Sequence, residues 1–213
     1  MSFVIPAQHA RDGGVSPRVV AVVLAGGQGL RMGGGDKALR LLGGRTLLDH
    51  VLARVGPQVD GVVLSANGDP ARFAAWGVPV VGDTVAGFAG PLAGVAAGLR
   101  WAAGLGAKKA LVVPCDTPFL PGDLVERLRA GRGEAVLACA VSAGRLHPVV
   151  GLWPVGLADA LAAAVAAGER RVAGWMRGQG LAEVVFSDVG GDPFANLNTP
   201  EELAVAQGRL AEG

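Results

Sequence analysis

Apolar positions along this chain alternate between two rhythms. Residues 18–24, RVVAVVL, form a continuous β-branched run and predict a strand covered on both faces. Residues 46–55, TLLDHVLARV, switch to helical spacing. Short apolar runs at 61–66, 78–81 and 109–115 predict further strands, and 134–141, 147–153 and 181–187 predict three more. Between them, 90–106 opens on Gly-Pro and closes at glycine, the punctuation of a helix. Helices are also expected at 121–130, with Pro121 at the start, at 156–168, and in the RRVAGWMRGQG segment. A last helix at 199–210 has Thr199 as N-cap and Glu202 at the capping-box position.

Strand and helix in alternation predict parallel βαβ units with right-handed crossovers. With no repeat period and no linker, residues 18–213 read as one α/β domain, a three-layer αβα sandwich around a mostly parallel, Rossmann-like sheet. Residues 1–17 read as a flexible leader without the architecture of a signal peptide. In such a sheet ligands sit beyond the carboxyl ends of the strands. The residues that follow each strand are therefore where chemistry is sought.

After the first strand comes AGGQGLRMGGGDK. Glycines bare the backbone, so successive N–H groups can surround an anion. Arg31 can grip phosphate with two parallel hydrogen bonds, and Lys37 adds a point charge. The loop is not a Walker A motif, because Asp36 precedes Lys37 and no Ser or Thr follows it. Gly27-Gln28-Gly29 supplies the G-x-G of a dinucleotide fingerprint, with Asp49 about 20 residues on, but Met32 stands where Gly or Ala closes it. Asn67 follows the second strand, Asp83 the third, and Asp116 the fourth, where Pro114 and Pro118 flank it. A carboxylate beside a phosphate site implies a divalent cation, and Mg²⁺ takes one or two carboxylates plus substrate phosphates. Asn196 and Asn198, two apart before the last helix, share a side of an extended segment. His147 enters a strand.

Composition narrows the partners. Lys and Arg number 19 against 18 Asp and Glu, so no global field draws the chain to nucleic acid or an anionic membrane. Two cysteines, Cys115 and Cys139, make no disulfide framework and suit a reducing cytoplasm. No run approaches the roughly 18 apolar residues of a membrane span. Neither a Ser-His-Asp set nor a nucleophilic cysteine stands out. The pattern suits a nucleoside triphosphate and a metal held while a second substrate attacks phosphorus, chemistry that rests on positioning and charge.

The stretch LAGGQGLRMGGGDKALRLLGGRTLL resembles the signature of nucleotidyltransferases. With GDTVAGFAGPLAG, PCDTPFLP, HPVVGLW, GERRV and NLNTPEEL in order, the chain is similar to molybdenum cofactor guanylyltransferases, the bacterial MobA family, from about residue 19 to 207. The resemblance implies transfer of GMP from GTP to the phosphate of molybdopterin or its molybdenum-loaded form, with release of pyrophosphate. It implies nucleotide contacts at Leu24, Ala25, Gly26, Gly27, Lys37, Asn67 and Asp83, a metal on Asp116, and catalytic roles for Arg31, Lys37 and Asp116. His147, Asn196 and Asn198 fall on the molybdopterin side. Molybdoenzymes or their chaperones are the implied recipients of the product. The family commonly reads Asn-Ala-Asn after the second strand; here Ser65 takes the first place, keeping a hydroxyl without the amide's paired groups. A cytidylyltransferase for the same cofactor, or a nucleotidyltransferase for another sugar or cofactor phosphate, shares the glycine loop. A dehydrogenase and a non-catalytic nucleotide-binding partner of a molybdoenzyme are the more distant readings.

Overall fold

The structure is a computed structural model and describes residues 18–26, 36–83 and 90–211. The residues read as a leader, together with Gly27 and Arg31, lie outside the described residues. Strands β1 (Val19–Leu24), β4 (Gly61–Ser65), β5 (Val80–Val81), β6 (Lys109–Pro114), β7 (Leu137–Ser142), β8 (Arg145–Pro154) and β9 (Leu181–Val185) form one sheet in the order β5-β4-β1-β6-β8-β7-β9. The first four in that order are mutually parallel. β8 pairs antiparallel with both β6 and β7, and β7 pairs parallel with β9, so β8 alone runs against the other six.

That reversal departs from the expected succession of parallel units. β7 starts later than predicted but runs on to Ser142, β8 extends past its predicted bounds at both ends, and they meet at Ala143–Gly144, both with positive φ (49° and 68°). Two left-handed residues make the tight turn whose twist suits a hairpin. A second hairpin, β2 (Leu41–Leu42) with β3 (Arg45–Thr46), was not foreseen, nor were the 3-10 turns at Lys37–Leu39 and Pro70–Trp76.

Helices α1 (Leu47–Val55) and α3 (Leu124–Gly131) cover one face, and α2 (Pro91–Gly104), α4 (Ala158–Ala166) and α5 (Val172–Gln179) the other. The alternation along β1 decides the division. Val19, Ala21 and Val23 point into the α1 side, while Val20 and Val22 point into the α2 side. This explains why the strand reads as uninterrupted apolar sequence. α3 begins at Leu124, not Pro121, which lies in the preceding turn. Asp49, the acidic residue of the fingerprint reading, is absorbed by the fold. It completes the α1 capping box with Thr46 and accepts from Trp76 Nε1 at 2.8 Å.

The last helix, α6 (Pro200–Ala211), lies apart from both faces on a small third core. There Leu203, Ala206 and Leu210 meet Leu42, Leu47, Phe119 and Leu197. Thr199 and Glu202 form the expected capping box: Glu202 N donates to Thr199 Oγ1 at 3.2 Å and Thr199 N to Glu202 Oε2 at 3.1 Å. This helix fixes the end of the segment that carries the two asparagines.

Candidate active site

Leu24 pairs with Ser65 on one side and Pro114 on the other, so β1, β4 and β6 end level. Ala25 N then donates to Ser65 O at 2.8 Å, and Cys115 N to Leu24 O at 3.0 Å. Gly26 and Asp116 are each two residues past a paired position on neighbouring strands. The exposed backbone at Gly26 and the carboxylate of Asp116 therefore open onto one rim.

Asp116 is 7% exposed. Its carbonyl accepts from Leu197 N at 3.0 Å, and Thr117 Oγ1 donates to Pro114 O at 3.0 Å, so the tip is braced on both sides. One carboxylate oxygen, Oδ2, forms an ion pair with Lys37 Nζ. Lys37 also donates to Asn198 Oδ1 at 2.5 Å. Asp116 Oδ1 is buried without a hydrogen-bond partner among the described residues. An orphaned carboxylate oxygen in so closed a setting is costly and asks for a ligand. Lys37 is set by its own turn: Asp36 Oδ1 accepts from Ala38 N at 3.1 Å and caps the 3-10 helix that Lys37 begins.

On the other flank Asn67 and Asp83 hold each other. Asn67 Nδ2 donates to Asp83 Oδ2 and Asp83 N to Asn67 Oδ1, both at 2.8 Å. Ser65 is buried, and a Cβ on Gly94 of α2 would stand 2.5 Å from its Oγ. Its hydroxyl thus lies against the helix that covers it.

The asparagine segment reaches the site only in part. Asn198 meets Lys37; its Nδ2 lies 3.5 Å from Asn196 O, and Asn196 is half-buried. His147 is buried in the β7–β8 hairpin. Its Nε2 lies 2.8 Å from Ser142 Oγ, which donates to Asp192 Oδ1 at 2.6 Å, and its ring rests on Phe194. Burial lowers its pKa below 6.5, although Asp192 pulls upward. His147 therefore holds one end of the segment whose other end carries Asn198. Both thiols are buried, and burial raises their pKa values, that of Cys139 to about 12. Arg72 is a contributor that no strand-end logic points to: its Nε donates to Asp36 Oδ2 at 2.6 Å.

Gly26, the Lys37–Asp116 pair and the Asn67–Asp83 pair thus stand at the carboxyl ends of neighbouring parallel strands, where open α/β sheets hold their ligands. A family model, the MobA-like NTP transferase domain, matches residues 21–184, and this chain belongs to that family. It is 52% identical over 193 residues to a protein of Cereibacter sphaeroides named molybdenum cofactor guanylyltransferase, covering 91% of this chain and 97% of that protein. A protein of the same name from Mesorhizobium japonicum is 50% identical over 195 residues, covering 88% and 94%. Among solved structures, the molybdopterin-guanine dinucleotide biosynthesis protein A of Archaeoglobus fulgidus superposes with a TM-score of 0.74 at 22% identity, over 91% of this chain and all of that one. The 2-C-methyl-D-erythritol 4-phosphate cytidylyltransferase of Thermus thermophilus gives 0.64 at 21% identity, over 90% and 98%.

Proposed function

We propose that this chain transfers GMP from GTP to the terminal phosphate of molybdopterin or its molybdenum-loaded form. A phosphate oxygen of the acceptor attacks the α-phosphorus, the α–β P–O bond breaks, and pyrophosphate leaves with the electron pair. The acceptor phosphate is already ionised, so no strong base is required. The observation that carries the reading is the meeting of Lys37, Asp116 and Asn198 at the rim of the glycine-bared strand. Identity of about half with two guanylyltransferases supports the choice of GTP and molybdopterin.

In this reading residues 18–213 are the catalytic domain. Leu24, Ala25 and Gly26, with Gly27 and Arg31 beyond them in sequence, receive the triphosphate, and Lys37 stabilises the charge that develops on it. Asn67 and Asp83 face the nucleoside; Ser65, turned toward α2, supports them from beneath. Asn196 and Asn198 border the acceptor, and His147 acts at one remove by holding their segment.

The donor set fits a divalent cation. Asp116 offers a buried unpartnered oxygen, with the Asn198 carbonyl nearby, and hard oxygen donors suit Mg²⁺. Among the described residues no three His, Cys, Asp or Glu side chains cluster, so the substrate's phosphates would complete the shell. When bound, the metal would neutralise charge on the transferred and departing phosphates. Among the described residues no helix is long and apolar enough to cross a membrane. The free thiols of Cys115 and Cys139 suit a reducing compartment, and we place the reaction in the cytoplasm.

Pyrophosphate release with each of the four nucleoside triphosphates, with and without molybdopterin, tests the proposal. GTP alone is expected to react, and only with the acceptor present. Preferential turnover of CTP overturns the guanylyl assignment in favour of a cytidylyltransferase. GTP binding without pyrophosphate release makes the protein a binding partner instead of an enzyme.

A further inference from the structure

The guanidinium of Arg72 lies in a three-way junction on the base side of the site. Its NH1 donates to Asp69 O at 2.6 Å and its NH2 to Asn67 O at 2.7 Å. Its Nε donates to Asp36 Oδ2 at 2.6 Å, at the start of the Lys37 turn. Below, its Cζ is 4.5 Å from the ring centroid of Phe73, which is fully buried. Two carbonyls and an aromatic face therefore fix the plane of the fork before Asp36 is reached. Arginine does this because its donors are rigidly coplanar; a lysine ammonium cannot satisfy three divergent acceptors in one geometry.

Each acceptor already has work in the site. Asn67 holds Asp83 through its side chain while its carbonyl receives Arg72. Asp36 caps the turn of Lys37 with one oxygen and receives Arg72 with the other. The contacts run without a break from Asp83 through Asn67, Arg72 and Asp36 to Lys37, and on to Asp116 and Asn198. We propose that Arg72 is a positioning residue for the transfer reaction: it sets the Lys37 turn in register with the nucleoside-side loop, so that one bound nucleotide meets both. The inference rests on the nucleotidyl transfer proposed above. Misplacement of a catalytic group by about 1 Å can cost on the order of a hundredfold in rate, so a link between the two loops matters even without touching substrate.

A kinetic cycle separates this role from simple support of the fold. Arg72→Ala is expected to lower kcat about tenfold or more in the native background. In Lys37→Ala protein, where there is no ammonium left to aim, the same change is expected to alter kcat by less than about twofold. Arg72→Lys is expected to stay within about threefold of Arg72→Ala, because charge without the fork does not rebuild the junction. Equal fold losses in both backgrounds, or full recovery by lysine, overturn the proposal. Should Arg72→Ala not fold, Asp36→Asn keeps a capping oxygen and weakens only the link; native kcat in that variant overturns the proposal equally. Native protein that turns over no nucleotide refutes the assigned reaction, whereas active native protein indifferent to Arg72→Ala refutes only the role of Arg72.

Discussion

Helix α2 lies close against β1 because Gly94 and Gly98 leave that side of it bare. A Cβ on Gly98 would stand 2.7 Å from Val22 Cγ2, 3.0 Å from Val22 Cβ and closer still to Cγ1, where ordinary contact begins near 3.4 Å. Val22 is fully buried on a strand hydrogen-bonded on both sides, and rotating its side chain exchanges one methyl for another. The helix must retreat. Overpacking of this kind costs about 1–3 kcal/mol, and with three unyielding atoms the upper end applies. Alanine returns about 1 kcal/mol of helix propensity over glycine. Gly98→Ala is therefore expected to destabilise the protein by about 2 kcal/mol, or roughly 4–8 °C at this chain length. Thermal and urea melts followed by tryptophan emission measure it, since Trp153 and Trp175 stack in the same core. Gly104→Ala, on the same helix with open space around its Cβ position, is the control and should not lower the melting temperature. Adding Val22→Ala should offset part of the loss, with a coupling of about 1 kcal/mol or more. A Gly98→Ala protein that melts higher than the native one would refute the close-packing account.

Further outcomes concern the site. Asp116→Ala should abolish turnover while circular dichroism reports an intact fold; near-normal rates with Mg²⁺ would remove Asp116 from the metal site. Lys37→Ala should lose at least about tenfold in kcat, because one charged contact at a transition state is worth on the order of 2–4 kcal/mol. For His147, burial holds the folded pKa below the ordinary 6.5, so the neutral ring stabilises the fold above that value. The contribution is lost as pH falls from 6.5 toward the lowered folded value. Urea midpoints between about pH 7 and 5 should therefore fall less in His147→Asn than in the native protein. Neither Cys115 nor Cys139 should react with iodoacetamide at neutral pH until the chain unfolds, since burial raises both thiols; mass spectrometry of the native protein checks this.

The strands legible in the sequence were those whose signal is local. The run at 18–24 marked β1, and the residues just past β1, β4, β5 and β6 marked one rim of the site. The Thr199–Glu202 capping box formed as its spacing required. The direction of β8 was not legible, because an apolar strand reads alike in either direction and the turn at Ala143–Gly144 carries only one glycine. The packing of His147 against Phe194 was not legible either, since it depends on residues far along the chain returning to the hairpin. Arg72 gave no signal, since its meaning depends on Asp36, 36 positions away, lying within reach.

The order of residues specified the main strands and helices, the division of apolar residues along β1 between two faces, and the kinds of group that end the first strands. All three follow from periodicity and backbone freedom, which act within a few residues. Only the tertiary structure decided which polar groups meet. Asn198 and Lys37 are separated by 161 positions, yet one hydrogen bond joins them. That contact depends on sheet order and on the seating of α6, which sum many distant contacts and leave no mark on any single stretch of chain.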